Sequence, residues 1–300
     1  MRIGTRSSAL ALTQTRAVVE LLGAGEIVTI TTSGDRGVDG DSDKSRWVDA
    51  IEAALLAGEI DLAVHSAKDL PGELAEGLEL LGTPAREDPR DVLCGASDLN
   101  QLASGARIGS SSVRRRAQLR GTREDLEVVA LAGNVDTRLK KLATPTQRLD
   151  AIVLALAGLR RLAKESQIGV ELDLDRFLPC PGQGALALQG RAGDERAGRA
   201  AAAITDPDTF ACLRAERSLA RGLQASCHTP LGALAQPIAD RALLLRAWVG
   251  LPDGSQWLAD RLTGDRSEPD ELGRELAARM RSAGASALLA RAQEMTVGYA

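Results

Sequence analysis

The chain sets a lysine and an aspartate side by side in His65-Ser66-Ala67-Lys68-Asp69-Leu70-Pro71, directly after a run apolar enough to be a buried strand. A carboxylate at such a point can accept hydrogen bonds from ligand N–H groups and stabilise a developing cation, while the lysine holds an anionic substituent. The same pair also fits a solvated turn with a weak ion pair. In Gly109-Ser110-Ser111-Ser112-Val113-Arg114-Arg115-Arg116, three hydroxyls precede three arginines at what reads as a helix start. The helix dipole favours acidic residues there, so the arrangement is electrostatically reversed unless an anion neutralises it. Leu131-Ala132-Gly133-Asn134-Val135-Asp136-Thr137-Arg138 repeats the plan of strand, glycine turn and helix, and Arg160 and Arg161 open another helix soon after Gly158. Gly4-Thr5-Arg6-Ser7-Ser8 suits either an anion beside Arg6 or a simple serine N-cap. Arginines repeated on successive loops of one sheet point to a polyanionic ligand, which guanidinium groups bind bidentately.

Cys227 stands in the polar loop Gln224-Ala225-Ser226-Cys227-His228-Thr229-Pro230, whereas Cys94 and Cys212 lie in apolar runs and read as core. An accessible thiol is either a nucleophile or attachment point, or an ordinary surface cysteine. With no CxxC pair and only His65 and His228 as histidines, no metal site is expected. A Cys227–His228 dyad is disfavoured because adjacent residues rarely face each other.

The elements that must carry these loops alternate. Strands are expected at Arg2–Thr5, Glu26–Thr32 and Ile60–His65, with helices at Ala9–Leu22 and Trp47–Leu56. Gly34–Asp43, rich in Gly and Asp, reads as a loop. A second series follows: strands Ala106–Gly109, Leu126–Leu131 and Ala151–Leu156, and helices Val113–Leu119, Val135–Leu142 and Leu159–Lys164. A strand at Ala185–Leu188 precedes helices at about 193 to 204 and 209 to 221, the second with Asp208 as N-cap and Gly222 as stop. The strands Ala242–Leu251 and Trp257–Leu262, joined by Pro252-Asp253-Gly254, form a hairpin, with helices at about 269 to 283 and 285 to 293 behind it. Strictly alternating strand and helix predict α/β architecture with largely parallel sheets, ligands lying at the carboxyl ends of the strands.

Composition narrows the partners. The 300 residues exceed one ordinary core, and 44% hydrophobic with 26% charged residues is a globular balance. Of 37 basic residues only Lys44, Lys68, Lys140, Lys141 and Lys164 are lysine, leaving 32 arginines, yet the net charge is −4 and aromatics are 2%. An acidic whole with few stacking rings argues against nucleic acid and for a small anion. The longest apolar stretch, Ala151–Leu159, is about half a bilayer span, and Met1–Leu12 lacks the continuous apolar region of a signal peptide, so no membrane partner and a cytoplasmic location are expected.

Taken together, His65–Pro71, Gly109–Arg115, Gly133–Arg138, Leu178-Pro179-Cys180-Pro181-Gly182-Gln183-Gly184-Ala185 and the cysteine loop resemble hydroxymethylbilane synthase, also called porphobilinogen deaminase, in order and spacing over essentially the whole chain. The resemblance implies an enzyme that condenses four porphobilinogen molecules head to tail, releasing ammonia each time, and frees hydroxymethylbilane by hydrolysis. It implies a dipyrromethane cofactor held through a thioether on Cys227. Asp69 becomes the catalytic carboxylate, bonding pyrrole N–H groups and stabilising the azafulvene cation formed as ammonia leaves. Lys68, Ser110, Ser112, Arg114 and Arg115 become cofactor contacts, and Arg6, Ser8, Arg138 and Arg161 substrate contacts. The implied fold is two periplasmic-binding-protein-like doubly wound α/β domains with a cleft between them, plus a small C-terminal α+β domain. The divisions are then 1–86 with 180–202, 87–179, and 203–300, and a monomer is expected. Three positions depart from the pattern: Ala132 replaces an arginine, Ala225-Ser226 replaces Gly-Gly before the cysteine, and Lys44-Ser45-Arg46-Trp47-Val48-Asp49-Ala50 keeps only the lysine and an aromatic. These departures motivate a second reading, a non-catalytic small-anion-binding protein of the same fold. A cysteine hydrolase using Cys227 with His65 or His228 is a third.

Overall fold

A computed structural model describes residues 1–34, 47–226 and 228–296. The chain opens with β1 (Arg2–Arg6), α1 (Ala9–Leu22), β2 (Glu26–Ile30), α2 (Asp49–Leu56), β3 (Leu62–Ser66) and β4 (Leu78–Gly82). It crosses to β5 (Asp91–Cys94), β6 (Arg107–Gly109), α3 (Val113–Thr122), β7 (Glu127–Val129), α4 (Val135–Leu142), β8 (Ala151–Ala155), α5 (Leu156–Arg161) and β9 (Val170–Glu171). It then returns as β10 (Leu186–Arg191) and finishes with α6 (Glu195–Ile204), α7 (Pro207–Gly222), β11 (Leu231–Ala239), β12 (Ala242–Gly250), β13 (Trp257–Asp265), α8 (Pro269–Ser282) and α9 (Ala285–Thr296).

The first sheet has the order β2-β1-β3-β10-β4 and the second β7-β6-β8-β5-β9. In each, three parallel strands are followed by antiparallel pairings, made by β10 in the first sheet and by β5 in the second. Strands of both sheets are covered on two faces. In the second sheet Ala151 and Val153 pack with Leu119 of α3, while Ile152 and Leu154 pack with Val135 and Leu139 of α4. Alternate residues of one strand thus serve opposite cores, as the period of two requires. The third unit is the antiparallel sheet β11-β12-β13, whose Leu243, Leu245, Ala247 and Val249 are buried with Ala215 and Leu219 of α7 and Leu276 of α8. The architecture is therefore α/β with a small α+β unit at the C-terminus, and among the described residues no helix is long and apolar enough to cross a membrane.

The helix signals held where local chemistry was explicit. Ser8 caps α1 by accepting from Ala11 N, and Gly23 stops it at φ 75°. The expectation for α7 needs correction: its N-cap is Asp206, which accepts from Thr209 N at 2.7 Å, with Pro207 in the first turn. Proline's fixed φ sets the helix start two residues earlier than Asp208 suggested, and Asp208 pairs with Arg266 instead. Strands β4, β5, β9 and β11 were not anticipated. β11 contains Gly232, Pro237 and three alanines, poor strand formers, and exists because β12 pairs along its length. Of the Gly34–Asp43 loop, all but Gly34 lies outside the described residues.

Two chain segments cross between the large sheets, and they are sewn together. Arg86 Nε donates to Gln183 O at 2.9 Å and Gln183 Nε2 to Pro89 O at 2.6 Å. Gly182 and Gly184 lie at φ 75° and 87°; a Cβ on the first would stand 3.0 Å from Lys68 N, and on the second 2.2 Å from Glu87 O. Glycine is required here both for the left-handed backbone and for the close approach of Gly182 to the Asp69 loop and of Gly184 to the Glu87 backbone. The buried Glu216 of α7 fastens the C-terminal unit to this crossing, accepting from Arg86 Nη1 at 2.6 Å, Gly182 N at 2.7 Å and Ala235 N at 2.8 Å.

Candidate active site

The loops singled out by residue type follow parallel strands of the two large sheets at their carboxyl ends: β1 at Arg6, β3 at Lys68 and Asp69, β6 at Ser110 and Ser112, β7 at Arg138 and β8 at Arg161. A cavity of about 230 Å³ lies where the first and second sheets and the C-terminal unit meet. Lys68, Asp69 and Gly72 come from the loop after β3, Ser112, Arg114 and Arg115 from α3, and Cys180 and Gln183 from the crossing. Arg217, Ala225, Ser226 and Thr229 complete it from the C-terminal unit. Cys227 itself lies outside the described residues, as do Lys44 and Arg46, but Ser226 and Thr229 on either side of it are on the cavity wall. Their hydroxyls are 3.3 Å apart, and Ser226 N donates to Thr229 Oγ1 at 2.9 Å.

The electrostatics of the arginine helix were only half legible. Arg114 and Arg115 do need an anion, but the protein supplies one internally: Asp91, fully buried at the start of β5. Arg114 Nη2 donates to one carboxylate oxygen at 2.8 Å, and Arg115 Nη2 and Gln183 Nε2 to the other at 2.7 and 2.8 Å. Burial raises the Asp91 pKa, but the two guanidiniums override it and hold the carboxyl well below the usual carboxylate range. Two buried cations against one anion still leave a positive surplus, and Arg114 Nε has no hydrogen-bond partner among the described residues. The sequence signal at Asp91 is weak: it opens an apolar run, Asp91-Val92-Leu93-Cys94, and a carboxylate there needs buried cations such as Arg114 and Arg115 to pair with.

Asp69 faces this surplus. Its carboxylate is half-buried and makes no hydrogen bond or ion pair among the described residues, so its acceptor sites remain for a ligand. Arg138 and His65 both sense its charge. Burial, and then repulsion from Arg115, lower the Arg138 pKa to about 10 against the pull of Asp69. Arg138 Nε donates to Gly133 O at 2.7 Å, and Arg161 Nη2 to Gly184 O at 2.7 Å. Neither is ion-paired among the described residues, unlike Arg160, whose Nη1 lies 2.7 Å from Glu87. The Arg6 guanidinium stacks 4.2 Å from the Trp47 ring centroid. Arg6, Ser8, Ser110, Arg138 and Arg161 stand outside the wall of this cavity. Ser8 and Ser112 serve as N-caps, and the Ser110 hydroxyl accepts from Ser112 N. At Ala132 the carbonyl accepts from Lys141 Nζ at 3.0 Å.

His65 is buried, its Nε2 2.9 Å from Gln189 Oε1, and desolvation lowers its pKa to about 4. It is a neutral packing group and no base for a cysteine nucleophile. Because its folded pKa lies below the unfolded value, the unfolded chain takes up the proton first as pH falls from about 6.5 to 4, and stability drops over that window. The expected loss is at most about 3 kcal/mol. Urea unfolding of wild type and His65→Gln at pH 7 and pH 4.5 checks this: the gap between them should narrow, or reverse, in acid. An equal gap at both pH values would mean that His65 is charged in the folded state.

Comparison with known proteins adds the family. Residues 1–199 match the family model described as porphobilinogen deaminase, dipyromethane cofactor binding domain, and residues 210–282 the porphobilinogen deaminase C-terminal domain. The porphobilinogen deaminase of Thermus thermophilus is 46% identical over 296 residues, covering 96% of this chain and 97% of its own. That of Deinococcus radiodurans is 46% identical over 307 residues, covering 97% and 98%, and that of Thiobacillus denitrificans 42% over 301 residues, covering 96% and 97%. Among solved structures, the methionine-binding protein MetQ overlays 68% of this chain and 89% of its own at 12% identity, with a TM-score of 0.44. With both family models and full-length relatives agreeing, the chain belongs to the porphobilinogen deaminase family.

Proposed function

We propose that this chain condenses four porphobilinogen molecules head to tail, with loss of ammonia at each step, on a dipyrromethane primer joined to Cys227, and releases hydroxymethylbilane by hydrolysis. The observation that carries the reading is the cavity itself: one uncommitted carboxylate, Asp69, among cations that outnumber the anions, beside the loop that contains Cys227. The residues suit the cofactor's chemistry. Each pyrrole bears two carboxylates and one N–H, and the wall offers guanidinium, ammonium and hydroxyl donors for the former and Asp69 for the latter. The orphaned Arg114 Nε and the surplus charge on the Arg114–Arg115–Asp91 cluster are what an anionic ligand would satisfy.

When bound, dipyrromethane supplies the nucleophilic pyrrole carbon to which the first porphobilinogen adds. Asp69 accepts the pyrrole N–H of the incoming substrate and provides the counter-charge as its carbon–nitrogen bond to ammonia breaks and positive charge spreads over the ring. Lys68, Ser110, Ser112, Arg114 and Arg115 bind cofactor substituents, and Arg6, Ser8, Arg138 and Arg161 those of the substrate, at the carboxyl ends of the same parallel strands. Arg6 is held in place by its stack on Trp47. We further propose that residues 1–86 with 180–202, 87–179 and 203–300 act as three domains, a division supported by the three sheets and the two sewn crossings. The working form is a monomer in the cytoplasm acting on a small molecule, and the net charge of −4 supports a partner set without nucleic acid.

Intact mass of protein made in a haem-producing host tests the core of this reading. Wild type should carry the excess mass of two linked pyrrole units, and Cys227→Ser should lack it. A wild-type mass that remains unmodified even after incubation with porphobilinogen would sink the proposal.

A further inference from the structure

Three arginines stand at helical spacing on α7, the helix that leads into the cysteine loop: Arg214, Arg217 and Arg221. The outer two are ion-paired, Arg214 with Asp270 and Arg221 with both Asp270 and Glu73. Arg217 is not. It is 7% exposed, forms no ion pair among the described residues, and makes one hydrogen bond, from Nη2 to Gly72 O at 3.0 Å. Burial, and then the neighbouring Arg221, lower its pKa to about 10 against the pull of Glu73 and Glu52, which leaves it a cation at neutral pH. A buried cation with no carboxylate in direct contact is costly and calls for a partner. Asp270 is engaged by its neighbours, and Arg217 borders two cavities, one of about 550 Å³ that it shares with Glu73 and Asp270 and the site cavity that it shares with Asp69 and Ser226. Carboxylates outnumber cations on the wall of the first, whereas in the site cavity Lys68, Arg114, Arg115 and Arg217 stand against Asp69, so an anionic ligand belongs in the second.

Resting on the function proposed above, we propose that Arg217 is a carboxylate-binding residue of the site, contributed by the C-terminal unit, whose guanidinium grips an acidic substituent of the pyrrole chain held next to the cysteine loop. The C-terminal unit, whose chain supplies the cysteine, then also supplies an ionic contact to the attached rings. Gly72 follows the Asp69 loop by three residues, so the bond to Gly72 O sets Arg217 in register with the catalytic carboxylate.

A purely structural role, pinning the Gly72 backbone, makes different predictions. Arg217→Met and Arg217→Lys should be prepared free of pyrroles in a host unable to make porphobilinogen, then incubated with porphobilinogen and compared with wild type by intact mass and by melting temperature before and after loading. If Arg217 binds a carboxylate, unloaded Arg217→Met melts no lower than unloaded wild type, because a buried uncompensated charge has gone. It then gains the two-pyrrole mass roughly tenfold or more slowly and shows a clearly smaller rise in melting temperature on loading, with Arg217→Lys intermediate. Unloaded Arg217→Met melting several degrees lower, with an unchanged loading rate and an unchanged rise, would overturn the proposal and make Arg217 a loop anchor. If wild type itself gains no pyrrole mass, the proposed function fails, and this assignment with it.

Discussion

Replacing Asp69 by alanine is expected to lower the rate of porphobilinogen consumption by roughly 10²–10³-fold, about 2.7–4 kcal/mol of transition-state stabilisation. The loss comes from the one carboxylate that the described residues of the cavity wall offer to the cation formed as ammonia departs. The fold should be indifferent. The Asp69 side chain is half-exposed and makes no hydrogen bond or ion pair among the described residues, so unfolding stability should stay within about 0.5 kcal/mol of wild type. Asp69→Asn separates charge from shape: the amide oxygen still accepts a pyrrole N–H but offers no counter-charge, and the variant should sit close to alanine. The measurement is single-turnover consumption of porphobilinogen by pre-loaded enzyme, alongside urea unfolding. Near-wild-type turnover in Asp69→Ala would remove the aspartate from the chemistry, and a matching fall in stability would recast it as structural.

The opposite pattern is expected at Asp91. Alanine there leaves Arg114 and Arg115 buried without their shared carboxylate, and breaking a buried pair of this kind costs on the order of 3–5 kcal/mol. Both arginines would also lose the contacts that aim them, since Arg115 Nε and Nη2 and Arg114 Nη2 all donate to Asp91. Unfolding stability and pyrrole loading should therefore fall together, whereas Asp69→Ala affects catalysis alone. The pH dependence identifies the cause. The Asp91 carboxyl is held below its unfolded pKa, so its stabilisation is complete above that unfolded value, about 4, and is lost as pH falls toward the folded one. The deficit of Asp91→Ala relative to wild type should accordingly be full at pH 7 and shrink below pH 4. A deficit that stayed constant down to pH 3 would point to lost packing instead of a lost charge.

How much of this was legible depends on the range of the interaction. The helices Ala9–Leu22 and Val135–Leu142 could be read residue by residue because their limits are local chemistry: Ser8 and Asn134 accept from backbone N–H groups three positions ahead, and Gly23 takes a left-handed stop. Alternating strand and helix gave the α/β class, and residue types on the loops after β3 and β6 marked two of the segments that line the cavity, because in such sheets a ligand meets loops at the strands' carboxyl ends. Strand β5 was missed because it is four residues long and begins with a charge, and nothing nearby in sequence explains why Asp91 should be buried. Its reasons are Arg114, Arg115 and Gln183, up to 92 residues away. Likewise the sequence alone could place Asp208 at a helix start but could not weigh it against the Asp206–Pro207 pair.

By itself, then, the sequence determined the helices, the longer parallel strands, the family resemblance and which side chains carry charge. Tertiary structure decided which of those charges are already spent. Arg114 and Arg115 share Asp91, and Arg214 and Arg221 pair with Asp270 and Glu73, while Arg217, in the same helix as the latter two, has no ion pair among the described residues. Charge type is a property of the residue, but its neutralisation depends on distance and burial, and these are set by contacts between segments remote in the chain.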